Sequence, residues 1–275
     1  LQAVEIDHDA ATSQLPFYAE WLEQYAKLPP LAPALSITTL PDWLNSPQLP
    51  RLLHQVDTAV LQVHAVDSPE GGLLDAAQAI ARVQRFGERT PVPFVVALPV
   101  YWLSAGMDGD GRVRFVEAEA PLARRAVLHG DLATPPSVLA GLLDELDRQR
   151  PKKLTGVVWF RLPEAGDRRT FAWSTLRDLI NRQPIDSTVQ ASLIKNGVSG
   201  QFDLILSNTG RHEALAPSII QWPAQCRHGE GVAGYRWRNA ATVTDYPPIL
   251  RPGDRRRLGW AACPGAVAGT VEAAH

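Results

Sequence analysis

The chain has 275 residues, 45% of them hydrophobic and 20% charged, with a formal net charge of −2. That balance fits a soluble globular chain with one large α/β unit and a small partner, and it excludes a predominantly basic nucleic-acid-binding surface. The one basic run, Arg255-Arg256-Arg257, follows Asp254 and precedes an apolar strand, so it reads as a solvated edge.

The apolar runs fall short of the roughly 18 residues that a membrane-spanning helix needs. No secretory leader opens the chain, and Met107 is its only methionine, so its amino end is read as trimmed. Cys226 and Cys263 are the only cysteines. They lack the spacing of a structural zinc site, and a disulfide or two buried thiols fit the sequence equally.

In chain order, short apolar runs rich in β-branched residues predict strands at 2–8, 34–39, 57–64, 93–99 and 154–161. Helical patterns lie between them at 13–27, 46–55, 72–87, 135–149 and 171–182, with start signals at Ser13, Ser46 and Thr134. This alternation predicts a parallel sheet covered by helices. Each unit takes about 37 residues, the period of an α/β barrel. Five units fit either an open sheet or the later part of a barrel whose first three units are absent.

Beyond about residue 184 short strands are separated by Gly, Asn and Pro turns, which predicts a small β-sandwich over 184–275 after an α/β domain over 1–183. An excursion at 102–133 contains "GMDGDGRVRF", a hairpin signal. Counted as a calcium loop from Asp108, it has Asp110 and Glu119 in place, but Arg112 and Val113 stand where a ligand and a glycine are required, so no calcium site is expected.

Ligands of parallel α/β sheets bind beyond the carboxyl ends of the strands. Those ends carry Glu5, Asp7 and Asp9, then Thr38, Thr39 and Trp43, then Gln62 and His64, then Tyr101, and finally Trp159 and Arg161. Alternation places Glu5, Asp7 and Asp9 on one strand face, opposite Val4 and Ile6. Crowded on a buried face, at least one of them would hold its proton and serve as a general acid. The bland alternative is a structural network with Arg161 and His64. Tyr101 and Trp159 are read as packing aromatics or as platforms for sugar rings, and Trp21 and Trp173, on helical patterns, as core.

The segments "VEIDHDAATSQLPFYAEWL", "LSITTLPDWL", "VDTAVLQVH", "PFVVALPVYW" and "GVVWFRLP" together resemble a bacterial family known as domain of unknown function 3142. More distantly, their order resembles strands four to eight of the barrel in glycoside hydrolase family 18, the chitinase-like enzymes. That resemblance lays the family's DxxDxDxE motif on Gln2, Glu5, Asp7 and Asp9. Asp7 matches by identity, Glu5 and Asp9 as carboxylates, and Gln2 does not match. It implies Asp9 as general acid, Asp7 as its orienting partner and Glu5 as a supporting carboxylate.

The same resemblance implies Gln62 and His64 as polar contacts and Trp159 as the floor of a sugar site; Tyr101 and Trp43, at the strand ends, are expected as further sugar platforms and Arg161 as a further contact. His64 replaces the family's Tyr and Asp9 its Glu, so chitin hydrolysis itself is doubtful while hydrolysis of another glycan is not. The function implied is that of an exported, glycoside hydrolase-like protein acting on an envelope polysaccharide with no metal or organic cofactor, or else of a lectin-like binder or an assembly protein.

Overall fold

The computed structural model describes residues 3–27, 34–64, 72–108, 113–117, 128–164, 166–265, 269–271 and 273–274. Strands β1 (Ala3–Ile6), β2 (Ala34–Thr39), β3 (Thr58–Gln62) and β4 (Phe94–Pro99) lie side by side in chain order. Every pair is parallel, and β8 (Leu154–Phe160) continues the sheet beyond β4. A doubly wound sheet would reverse its order at a switch point. Here the order never reverses, so the architecture is that of successive units of a TIM-barrel-like β/α domain.

Helices α1 (Leu15–Tyr25), α2 (Leu49–Leu53), α3 (Ala76–Arg89) and α4 (Pro136–Arg148) connect these strands. Each buries an apolar stripe, as Leu15, Tyr18, Ala19 and Leu22 do in α1. Asp75 caps α3 by accepting a 2.7 Å hydrogen bond from the Gln78 amide. Gly87 lets α3 approach Pro151, because a Cβ there would lie 2.6 Å from the proline's own. On the sheet, Ile37, Leu61 and Val96 are wholly buried.

Between β4 and α4 the chain forms β5 (Trp102–Met107), β6 (Val113–Glu117) and β7 (Leu128–Ala133), a three-stranded antiparallel sheet in the order β6-β5-β7. The expected hairpin is therefore present as the β5/β6 pair. Its turn at 109–112, Glu119 and also Gln2 lie outside the described residues.

After α5 (Trp173–Ile180) every strand pairing among the described residues is antiparallel. The largest sheet there joins Arg227–Gly231, Arg255–Ala262, Gln201–Asn208, Val189–Lys195 and Gly269–Val271 in that order. Alternation along Gln201–Asn208 buries Phe202, Leu204 and Leu206 beside Leu193 and Leu258. The same core holds the disulfide Cys226–Cys263, which decides between the two states the sequence left open.

Two compact units divide the chain. The first comprises Leu1–Val66, Leu74–Pro99 and Gly141–Arg161, and the second comprises Asp67–Leu73, Val100–Ala140 and Leu162–His275. This division differs from the expected boundary near 184. The antiparallel excursion and the α5 segment cluster with the later β-rich part.

Candidate functional site

In the parallel sheet, paired residues point to the same face, so register assigns each strand end to a side. Gln62 is level with Ala97, and Ala97 with Val158. Two residues on, Pro99 is level with Phe160, and the His64 ring stacks on Phe160 with centroids 5.9 Å apart and planes 25° apart. Gln62 closes this corner by donating from Nε2 to the His64 carbonyl at 3.1 Å.

His64 is only 3% exposed. Burial pushes its imidazole down to about 4, against the opposing effect of a hydrogen bond with the Ala97 backbone. Near neutrality it is therefore an uncharged hydrogen-bonding ring and not a cationic acid. Phe160, 44% exposed, presents an aromatic surface beside it. This pairing of Phe160 with His64 was missed in the sequence.

The carboxylates fall out differently from the expected single buried face. Strand β1 stops at Ile6, so period-2 alternation governs Glu5 and no longer governs Asp7 or Asp9. All three are exposed, which removes the burial on which their expected mutual crowding depended. Glu5 Oε1 accepts a 2.9 Å hydrogen bond from the Thr38 hydroxyl on neighbouring β2.

Asp9 instead lines a cavity of about 710 Å³ against α1, together with His8, Gln14, Phe17, Tyr18 and Trp21. The Asp7 carboxylate is felt in the same place. Burial first, and Asp7 second, push the Tyr18 phenol up to about 12.

Several expected site residues are corrected by their surroundings. Trp43 is wholly buried, and its indole N–H is bonded to a backbone carbonyl, so it presents no face to a sugar. Trp159 pairs with Leu98 in register and so lies on the face opposite His64 and Phe160. Tyr101 belongs to the second unit, where it packs, partly buried, against Leu73, Leu103, Leu132 and Tyr246. Arg161 follows the end of β8, half-buried.

Trp21 and Trp173, read as core, are 48% and 59% exposed. The signal overlooked in α1 is a second stripe, Phe17, Trp21 and Tyr25, at a spacing of four residues beside the buried Leu15, Tyr18 and Leu22.

The first unit thus offers two chemically distinct places. A neutral imidazole, an amide and a phenyl ring gather at the ends of β3 and β8. Two carboxylates and a wall of aromatic rings gather at the end of β1. Among the described residues no cluster of three or more His, Cys, Asp or Glu is placed to hold a metal ion, and no helix is long and apolar enough to cross a membrane.

No curated protein matches the chain. Among solved structures it is similar to a chitinase from Chromobacterium violaceum, at 12% identity and TM-score 0.45, over 66% of this chain and 66% of that one. It is also similar to the spore cortex-lytic enzyme SleL of Bacillus cereus, at 11% identity and TM-score 0.46, over 66% of this chain and 49% of that one. A third is chitinase ChiA74 from Bacillus thuringiensis, at 7% identity and TM-score 0.46, over 100% of this chain and 73% of that one. The chain thus spans about half to two thirds of the first two structures it matches. Residues 193–264 match the model of a second domain of unknown function, DUF8456. Residues 1–165 match the model described as Domain of unknown function (DUF3142), and the chain belongs to that family.

Proposed function

We propose that this protein is carbohydrate-active and glycoside hydrolase-like, and that it cleaves an envelope or extracellular polysaccharide by carboxylate general acid/base chemistry. The observation that carries the proposal is the pair Asp7 and Asp9, exposed at the carboxyl end of β1 beside an aromatic-walled cavity. Asp9 donates its proton to the glycosidic oxygen as the bond to the anomeric carbon breaks, water supplies the hydroxyl to that carbon, and the proton left from that water returns to the Asp9 carboxylate. Asp7 orients the reacting sugar, and Glu5, held by Thr38, supports the local field. Gln62 and His64 contribute polar contacts and Phe160 a ring face. The neighbours' names, chitinase and cortex-lytic enzyme, belong to the same class of chemistry.

A second reading, a lectin-like protein without turnover, is favoured by the exposure of all three carboxylates, because a general acid at neutral pH needs an environment that holds its proton. Export to an oxidising compartment is part of the proposal in either case and is supported by the Cys226–Cys263 disulfide.

The test is a panel of β-linked amino-sugar polymers and bacterial exopolysaccharides, incubated with the protein and with Asp9→Asn. Reducing-end release and thermal shift are read together. Release that disappears in the variant identifies a glycosidase. A thermal shift without release identifies a carbohydrate binder, and silence in both sinks the proposal.

A further inference from the structure

The cavity beside β1 holds more than the carboxylate that the catalytic proposal uses. Its wall is a ladder of rings. Tyr18 and Trp21 stack at 6.2 Å, Trp21 and Tyr25 at 5.7 Å, and His8 meets Tyr18 edge-on at 5.1 Å. Phe17, 65% exposed, extends the apolar surface on the solvent side.

Two further observations point to an occupant. Tyr18, one of the lining residues, is only 6% exposed, and among the described residues its buried hydroxyl has no hydrogen-bond partner. A buried phenol left unsatisfied is costly and is usually met by water or a ligand. The fixed charge carried by the described residues that line the cavity, moreover, is negative. Asp9 lies in the lining and Asp7 acts on Tyr18, whereas neither lysine nor arginine is among the residues that line the cavity. Arg51, on α2 of the same unit, is already paired with Glu23 at 2.8 Å.

Aromatic faces attract cations through their quadrupole, and a cleft lined by one sign of charge concentrates the opposite sign. A neutral sugar uses the rings and the phenol but brings no opposite charge to the carboxylates. A hydroxyl-rich ligand that also carries an ammonium group answers all three.

We propose that the groove formed by His8, Asp9, Gln14, Phe17, Tyr18 and Trp21 binds a cationic amino sugar, a glycan unit whose amine is free and not acylated. The ammonium group sits over the Trp21 and Phe17 rings within reach of Asp9, and a sugar hydroxyl completes the Tyr18 phenol. This assignment rests on the carbohydrate reading above and narrows it to glycans with free amines.

The experiment is a titration of the whole chain, followed by tryptophan fluorescence and calorimetry, with a glucosamine hexamer and with its fully N-acetylated counterpart. The glucosamine hexamer should bind about tenfold or more tightly than the acetylated one. Its affinity should fall as salt is raised from about 50 to about 300 mM. Trp21→Ala and Phe17→Ala, both at exposed ring positions, should each weaken it about fivefold or more. Trp21→Phe, which keeps a ring, should lose less, and Trp173→Ala, an exposed tryptophan of the other unit, should lose nothing.

Equal affinity for the two hexamers, or indifference to Trp21→Ala in a variant whose melting temperature is unchanged, overturns the proposal. Binding of a lysine-rich peptide as tight as that of the hexamer overturns the sugar assignment. Failure here is separable from failure of the catalytic reading. Hydrolysis that depends on Asp9 without preference for free amines leaves the glycosidase standing alone, and amine-dependent binding without hydrolysis leaves the groove standing alone.

Discussion

The indole N–H of Trp43 donates to the carbonyl of Ala10 across 2.9 Å, tying the turn after β2 to the segment that carries Asp7 and Asp9. That segment is held by contacts outside the sheet, His8 against Tyr18 among them. It has left the sheet at Ile6, and a 2.8 Å hydrogen bond from the Ala10 amide to the His8 carbonyl folds it back on itself. The same indole meets the Tyr18 ring edge-on at 6.0 Å, so Trp43 supports the groove from behind.

Replacing Trp43 should therefore act through position and stability. Trp43→Phe keeps most of the volume but strands the buried Ala10 carbonyl, and should cost about 1–3 kcal/mol. Trp43→Ala adds a cavity and should cost about 3–5 kcal/mol. Urea unfolding gives both values, and amide exchange at residues 8–10 should accelerate in Trp43→Phe before the sheet is affected.

His64 should make stability depend on pH in one direction and one window. The unfolded chain takes up a proton near the ordinary 6.5, whereas the native imidazole resists until about 4. Above 6.5 the two states hold the same protons and this group adds no pH dependence. From 6.5 down to 4 the unfolded state binds the extra proton, so stability falls by about 3 kcal/mol at most. In His64→Gln the fall across this interval should be shallower than in the unmodified protein. Identical profiles would sink the assignment of a buried neutral imidazole.

Much of this fold was legible because the signals were local. The run ALSITT, expected as a strand at 34–39, forms β2 over Ala34–Thr39, and the runs expected at 93–99 and 154–161 form β4 and β8 within a residue at either end. β-Branched residues between turn formers decide such elements nearly alone. The site was less legible because it depends on parity and on where alternation stops. Trp159 and Phe160 are adjacent aromatics in one strand, and only the pairing of Pro99 with Phe160 reveals which of them shares a face with His64. Alternation was likewise carried through Asp7 and Asp9, which no longer belong to a strand. In α1 the buried stripe hid a second, aromatic one, since helical periodicity marks apolar faces without telling which of two is covered.

Asp131 offers a test in the second unit. Its Oδ2 accepts from the buried Ile249 amide at 3.1 Å, and its Oδ1 receives the Ser104 hydroxyl at 3.5 Å. Burial pushes its pKa up, against the pull of the Ile249 amide, the Arg256 charge and Ser104. A carboxyl raised in this way stabilises the fold below its unfolded value, and that contribution is lost as the pH rises through its folded value. Asp131→Asn keeps an acceptor and removes the charge, so at pH 7 it should melt no lower than the unmodified protein. Any advantage should shrink as the pH falls toward 3.8. Asp131→Ala, which strands the Ile249 amide, should cost about 1–3 kcal/mol. An Asn variant as unstable as the Ala variant would mean that the charge itself holds the contact.

The Cys226–Cys263 bond closes a loop of 37 residues, and both cysteines are buried in the core with Phe202, Leu204 and Leu258. Cross-linking a loop of that length removes chain entropy from the unfolded state worth about 3–4 kcal/mol. Reduction, or the pair Cys226→Ala and Cys263→Ala, should therefore lower the melting temperature of the β-rich unit in a way that the parallel sheet does not share. Burial also predicts the kinetics. Folded protein should resist mild reductant, because the bond becomes accessible to thiolate only when that unit opens. Thiol release that tracks unfolding of the β-rich unit would support this account, whereas rapid release from native protein would place the bond at the surface and remove it from the core.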